Sequence, residues 1–238
     1  MRSDQPIWTP YCGAGATPAD VLFRWNLDPL LLVFLAAVAL LLWRGQARPL
    51  AWAAFAIAAL LFVSPLCALS SALFAARTVH HVVLVAILAP LIAWSGPRTS
   101  GRGLAAATGL STAVFWAWHA PGAYAWAMTH DAAYWLMQAS LGAAAIWFWM
   151  AVRAASSLVA VGALLVATVQ MGLLGALLTL ADRAFYAPHA ATTLAWGLTP
   201  LQDQQIAGLI MWAPAAAIYL GVAVSLLARR LQPEPAAP

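Results

Sequence analysis

The sequence has no lysine; its eleven basic residues are all arginine. That absence rules out the Schiff base on which a seven-helix retinal protein depends. Acidic residues number only seven and nowhere cluster, so the carboxylate-rich sites preferred by calcium and magnesium are missing. No HExxH pair marks a membrane metalloprotease, although zinc itself stays open, and no GxSxG elbow marks a hydrolase. No basic cluster is interleaved with aromatics, so a net charge of +4 and a pI near 9.6 do not point to nucleic acid. The opening MRSDQPIWTPYCGAG has prolines and an acid where a leader would be apolar, and no cleaved signal peptide is expected. Cysteine occurs twice, as Cys12 and Cys67. A bridge between them is open on an oxidising face, but the spacing does not demand one, and free thiols are the plainer expectation.

What the chain has in abundance is apolar length. Hydrophobic residues make up 64% of its 238 residues, charged ones 8%, and the mean hydropathy is +0.85. Such a composition belongs to membrane proteins. Runs long enough to cross a hydrocarbon core of ~30 Å lie at about 28–43, 49–70, 75–96, 103–119, 131–152, 156–181 and 203–228, the first and fourth being the shortest. The expected fold is an all-α membrane protein, a seven-transmembrane-helix bundle. Residues 1–27 would form an outer segment, 28–230 the membrane domain, and the proline-rich 231–238 a disordered cytoplasmic tail.

Charge orients the bundle. Arg44, Arg48, Arg98, Arg102, Arg153, Arg229 and Arg230 fall on one side, and Arg2, Arg24, Arg77 and Arg183 on the other. Arginine excess marks the cytoplasmic face, which places the N-terminus outside and the C-terminus inside a cell inner membrane crossed several times. The inner connections RGQARP, GPRTSGRG and RAASS are short, whereas the outer PGAYAWAMTH and DRAFYAPHAATTLAWGLTP are long. Long loops on a rigid scaffold tend to carry function, so the outer side is the one to search.

All five histidines fall near that outer rim. His80 and His81, in ARTVHHVVLVAILAP, lie five to six residues into the third helix, roughly 8 Å deep at ~1.5 Å per residue. His119 ends the fourth helix, His130 opens the fifth, and His189 lies in the last outer loop; both cysteines, Met128 and Met137 share the rim. Imidazole, thiol and thioether together are a copper palette, the sulfur favouring Cu(I) held transiently. The candidate ligands are His80, His81, His119, His130, His189 and Met128.

Each candidate also has a structural reading. His119 suits a helix C-terminus, His130 and His189 suit loops, and methionine suits a core. Arg77, one turn from His81, opposes a cation and is expected to pair with Asp203 or Asp182, or to face a partner. Arg77, Asp203, Gln204 and Gln205 are the supporting polar residues.

Three segments carry a family likeness: HHVVLVAILAPLIAWSG, FWAWHAPGAYAWAMTH and WGLTPLQDQQIAGLIMWAP. Over about 65–230 the chain resembles the CtaG-type membrane proteins that assist assembly of bacterial cytochrome c oxidases. The resemblance implies a non-enzymatic assembly factor on which maturation of the oxidase copper centres depends. Its partners would be oxidase subunit I or II, a periplasmic copper chaperone and the lipid bilayer. By position it carries functional weight to His81, His119, His130, Asp203 and the adjoining glutamines. The chain departs from that pattern at Arg77, Tyr134 and Gln138, where family members carry further histidines. A copper transporter and a haem-binding protein are the alternatives. Transport would need donors through the inner half, which has no histidine or cysteine; haem would need His81 and His119 at equal depth.

Overall fold

The structure, a computed structural model, describes residues 10–97 and 103–231. Arg2, Asp4, Arg98, Arg102 and the tail 232–238 lie outside the described residues. Within them all regular structure is helical. The helices are α1 (Pro29–Arg44), α2 (Pro49–Val63), α3 (Leu66–Ala72), α4 (Phe74–Val83), α5 (Ala89–Ser95), α6 (Leu104–His119), α7 (Pro121–Ala127), α8 (Asp131–Ala154), α9 (Ser157–Thr179), α10 (Pro200–Ile210) and α11 (Ala216–Leu231).

Each of the seven predicted runs is helical, but they differ in reach. Among the described residues, four stretches are long and apolar enough to cross a membrane: Phe74–Ser95, Asp131–Ala154, Ser157–Thr179 and Pro200–Leu231. The α2–α3 pair, bent by 46°, makes a fifth if it counts as one span. With 16 residues each, α1 and α6 reach only ~24 Å at ~1.5 Å per residue, short of a ~30 Å core.

Proline explains the irregularities. Pro65 has no N–H and forces Ser64 into an extended conformation (ψ 168°), which bends α2 away from α3. Where Pro90 and Pro214 interrupt longer helices, the chain widens into single π turns, Leu84–Leu88 and Met211–Ala215, that join α4 to α5 and α10 to α11. Inside the first π turn the Val85 carbonyl accepts from Trp149 Nε1 at 2.7 Å, so a mid-helix acceptor is satisfied from α8. At the opposite end from the histidines, Arg153 Nη1 donates to the Ala93 and Gly96 carbonyls at 2.6 and 3.0 Å and closes the C-terminus of α5.

A close helix contact joins α9 to α10. A Cβ built on Gly175 would lie 2.8 Å from the Gly208 carbonyl oxygen; one built on Gly208 would lie 2.6 Å from the Gly175 carbonyl and overlap Thr179 Oγ1. At both positions a backbone atom lies within 3 Å, so moving a side chain alone cannot relieve the clash. Close approach through small residues is how helices associate in lipid. We expect Gly208→Val to lower the thermal midpoint by the equivalent of about 1–3 kcal/mol or more, read by tryptophan fluorescence in detergent. An unchanged midpoint would mean the two helices are not in contact at this point.

Two straps close the end of the bundle where α4, α8 and α10 begin and α6 and α9 end. The first, residues 10–28, is fixed by the Cys12–Cys67 disulfide, whose Cα atoms are 5.3 Å apart. This corrects the expectation of free thiols: the N-terminal segment folds back onto α3, a proximity that a 55-residue separation in sequence does not reveal. Tyr11 Oη donates to Asp28 Oδ2 at 2.8 Å, and Asp28 Oδ1 caps α1 through Leu30 N and Leu31 N. Burial and that carboxylate push the Tyr11 hydroxyl up to about 12, and its hydrogen bond holds Asp28 below the usual carboxylate range. The second strap, 180–199, is tied down by Thr192 Oγ1 to the Ala72 carbonyl at 2.6 Å and Trp196 Nε1 to the Ala16 carbonyl at 2.9 Å.

Candidate functional site

Helix α4 organises the strapped end. Leu73 is extended and has no capping oxygen, so the first N–H groups of α4 lack local partners. The carboxylate of Asp203 supplies them from α10, accepting from Phe74 N at 2.7 Å and Ala75 N at 3.1 Å. It is a fully buried cap delivered from another helix, favoured by the dipole of α4. Gln204 and Gln205 tie down the second strap in the same way. Gln204 Oε1 accepts from Phe185 N at 2.6 Å and its Nε2 donates to the Leu178 and Arg183 carbonyls, while Gln205 Nε2 donates to the Ala181 carbonyl. The three residues of the DQQ run therefore anchor backbone around the site.

Successive turns of α4 then carry Arg77, His80 and His81 into the interior. All three are buried, Arg77 and His80 completely. His81 faces His119 of α6, with ring centroids 6.3 Å apart, and neighbours His80 at 5.8 Å. His119 Nδ1 lies 2.7 Å from the Phe115 carbonyl, which must accept, so Nδ1 carries the proton and Nε2 keeps its lone pair. Gln138 Nε2 of α8 lies 3.4 Å from His81 Nε2. His80 packs edge-on to Phe62, and neither of its ring nitrogens has a hydrogen bond of good geometry among the described residues.

Arg77 lies beside this row. Its guanidinium carbon is 5.3 Å from the centre of the Tyr134 ring and Nη2 is 3.6 Å from Met128 Sδ. Nε and Nη1 have no partner among the described residues, nor does any described carboxylate pair with it. This corrects the expected ion pair with Asp203 or Asp182: Asp203 is already engaged by the α4 backbone, and Arg24–Asp20 is the one ion pair among the described residues. An unpaired buried guanidinium is costly, and the π face of Tyr134 offsets only part of that cost.

The remaining candidates separate. His189 is buried on the second strap, its Nε2 hydrogen-bonded to Tyr124 Oη at 2.6 Å. Burial, then the charge of Arg77, pulls its imidazole down to about 3, so it stays neutral at any ordinary pH. His130 is exposed at the start of α8, hydrogen-bonded to Thr129 Oγ1 at 2.7 Å and outside the histidine row. Met128 is buried against Arg77. Of the six proposed ligands, the structure therefore brings together His80, His81 and His119. No group of three or more His, Cys, Asp or Glu poised around one metal exists among the described residues.

Tyr124 escaped the sequence reading. It lies in PGAYAWAMTH, which reads as a loop but forms α7, and the only signal for its role was an aromatic with a polar tip near two histidines. The buried hydroxyls of Ser71, Thr78 and Thr193, all without partners among the described residues, also went unnoticed.

Residues 104–232 match the family model described as cytochrome c oxidase caa3 assembly factor, or Caa3_CtaG; that is 129 residues, 232 − 104 + 1, of 238. No curated protein and no solved structure matches the chain.

Proposed function

The chain belongs to the caa3-type CtaG family of cytochrome c oxidase assembly factors, and from that membership we propose that it helps load copper into an oxidase subunit by holding Cu(I) transiently at His81 and His119, with His80 alongside. The observation that carries this reading is the buried imidazole row itself. Two imidazoles bound in line to one ion, each nitrogen ~2 Å from it, have ring centroids roughly 6 Å apart. The centroid separations in this row are 5.8 and 6.3 Å. The free Nε2 of His119 and the unbonded nitrogens of His80 leave lone pairs available to a metal.

Sparse coordination suits delivery. Cu(I) tolerates two nitrogen donors, whereas structural zinc requires four ligands. Arg77, close by, weakens the hold on any cation and favours one of low charge. Seven membrane crossings, an N-terminus outside and a C-terminus in the cytoplasm complete the proposal, in a bacterial inner membrane. The arginine distribution supports that orientation, and so does the disulfide, which persists in an oxidising compartment. The site then lies at the periplasmic end of the bundle, where a copper chaperone would supply it, and the role is assembly rather than catalysis.

Complementation of a strain lacking the gene tests the reading. His81→Ala and His119→Ala should each reduce oxidase copper content and activity at least several-fold while the protein stays in the membrane at wild-type level. Normal copper content in both variants would eliminate the histidine row as a copper site.

A further inference from the structure

At the same strapped end as the histidine row lie two sulfur atoms that the function so far leaves idle. Cys67 is fully buried and Cys12, on the first strap, is partly exposed. Polar donors approach both: Tyr134 Oη donates toward Cys12 Sγ at 3.6 Å and Asn26 Nδ2 toward Cys67 Sγ at 3.8 Å. Tyr134 is also the residue whose ring carries the Arg77 guanidinium. One helical turn further along α8, Gln138 meets His81. Adjacent turns of α8 thus touch the sulfur pair through Tyr134 and the imidazoles through Gln138.

We infer that Cys12 and Cys67, once reduced, form a second Cu(I) site, an outer dithiolate station that receives the ion before the buried histidines. The inference rests on the proposal that the chain handles Cu(I). An external protein dithiol supplies two electrons: the Cys12–Cys67 bond breaks, a disulfide forms in the reductant, and its two protons pass to the cysteine sulfurs. Cu(I) then displaces both protons and forms two Cu–S bonds, leaving a complex of net charge −1.

That charge gives Arg77 a counterpart. The guanidinium has no carboxylate partner among the described residues, and it lies over the ring of Tyr134, whose hydroxyl meets Cys12 Sγ. An anionic copper–dithiolate is the species such a cation stabilises, and hydrogen bonds from Tyr134 and Asn26 favour the thiolates. Soft sulfur is also the donor that best discriminates Cu(I) from harder ions. Cys12 lies on the exposed strap, where a reductant can reach it, and Cys67 is fixed to α3 next to α4.

Anaerobic titration of the purified full-length protein with Cu(I), against a chromophoric Cu(I) chelator, tests this with and without prior reduction by a phosphine. The reduced protein should bind one more equivalent than the oxidised protein, with copper–sulfur scattering in the X-ray absorption spectrum. Cys12→Ser should lose that equivalent, and the His81→Ala, His119→Ala double variant should keep it. Equal stoichiometry before and after reduction overturns the inference, as does a gain that survives Cys12→Ser. A gain that disappears in the histidine double variant also overturns it, because reduction would then merely have opened the strap. The oxidised and reduced wild-type proteins suffice if a variant fails to fold. Oxidised protein that binds no Cu(I), alongside reduced protein that binds one equivalent through sulfur, would refute the histidine proposal and leave the dithiolate standing.

Discussion

Asp203→Ala should be the most destabilising substitution in the protein, lowering its stability by roughly 3 kcal/mol or more. The carboxylate makes two charge-assisted bonds, to Phe74 N and Ala75 N, each worth about 1.5–3 kcal/mol. Alanine removes both and leaves two buried N–H groups with no acceptor, since Leu73 has no side-chain oxygen to offer. The consequence reaches the histidines, because Asp203 fixes the start of the helix that carries Arg77, His80 and His81. Thermal unfolding in detergent should show a large fall in midpoint, and Cu(I) affinity should fall with it. Asp203→Asn keeps one acceptor oxygen and should recover about half of the loss. A midpoint within error of wild type for Asp203→Ala would show that α4 is capped by something else.

The contrast between Asp203 and the rest of its helix marks the boundary of what the sequence discloses. The course of the apolar runs was legible, since length and hydropathy alone constrain a chain in lipid. Collection of the histidines at one end followed from counting residues along those runs, and the structure places them there. Direction was harder to read. His80 and His81 differ by about 100° around α4, and only the packed neighbours show that both point inward, toward Phe62 and His119 respectively. Partners far apart in sequence were not legible at all: Asp203 caps a helix 128 residues away, and Cys12 reaches Cys67 across 55. Gly175 and Gly208 belong to the same class, because a glycine in an apolar run signals nothing until the helix that crosses it is known. The loop reading of PGAYAWAMTH failed for a local reason. Pro121 follows the extended Ala120 and starts α7 at its favoured first position, so the segment is a short helix bounded by a break.

Arg77→Met should move the two copper stations in opposite directions. Methionine is a near-isosteric apolar replacement for a cation that is buried and unpaired, so the fold should be as stable as wild type or more so, by up to about 1–4 kcal/mol. At the histidines, removing a positive charge one helical turn away relieves ~2–3 kcal/mol of repulsion on a bound cation, taking ~6 Å and an effective dielectric of ~20. That corresponds to Cu(I) held roughly 30- to 150-fold more tightly. At the reduced cysteines the same change withdraws the cation that stabilises an anionic complex, so affinity there should fall. Competition titrations of oxidised and reduced protein read the two effects separately. Tight retention at the histidines should also slow release, so the variant should bind more copper yet mature less oxidase in cells. Parallel shifts at both stations would show that Arg77 acts through packing alone. Shifts of opposite sign would identify it as the charge that loosens the inner site and tightens the outer one.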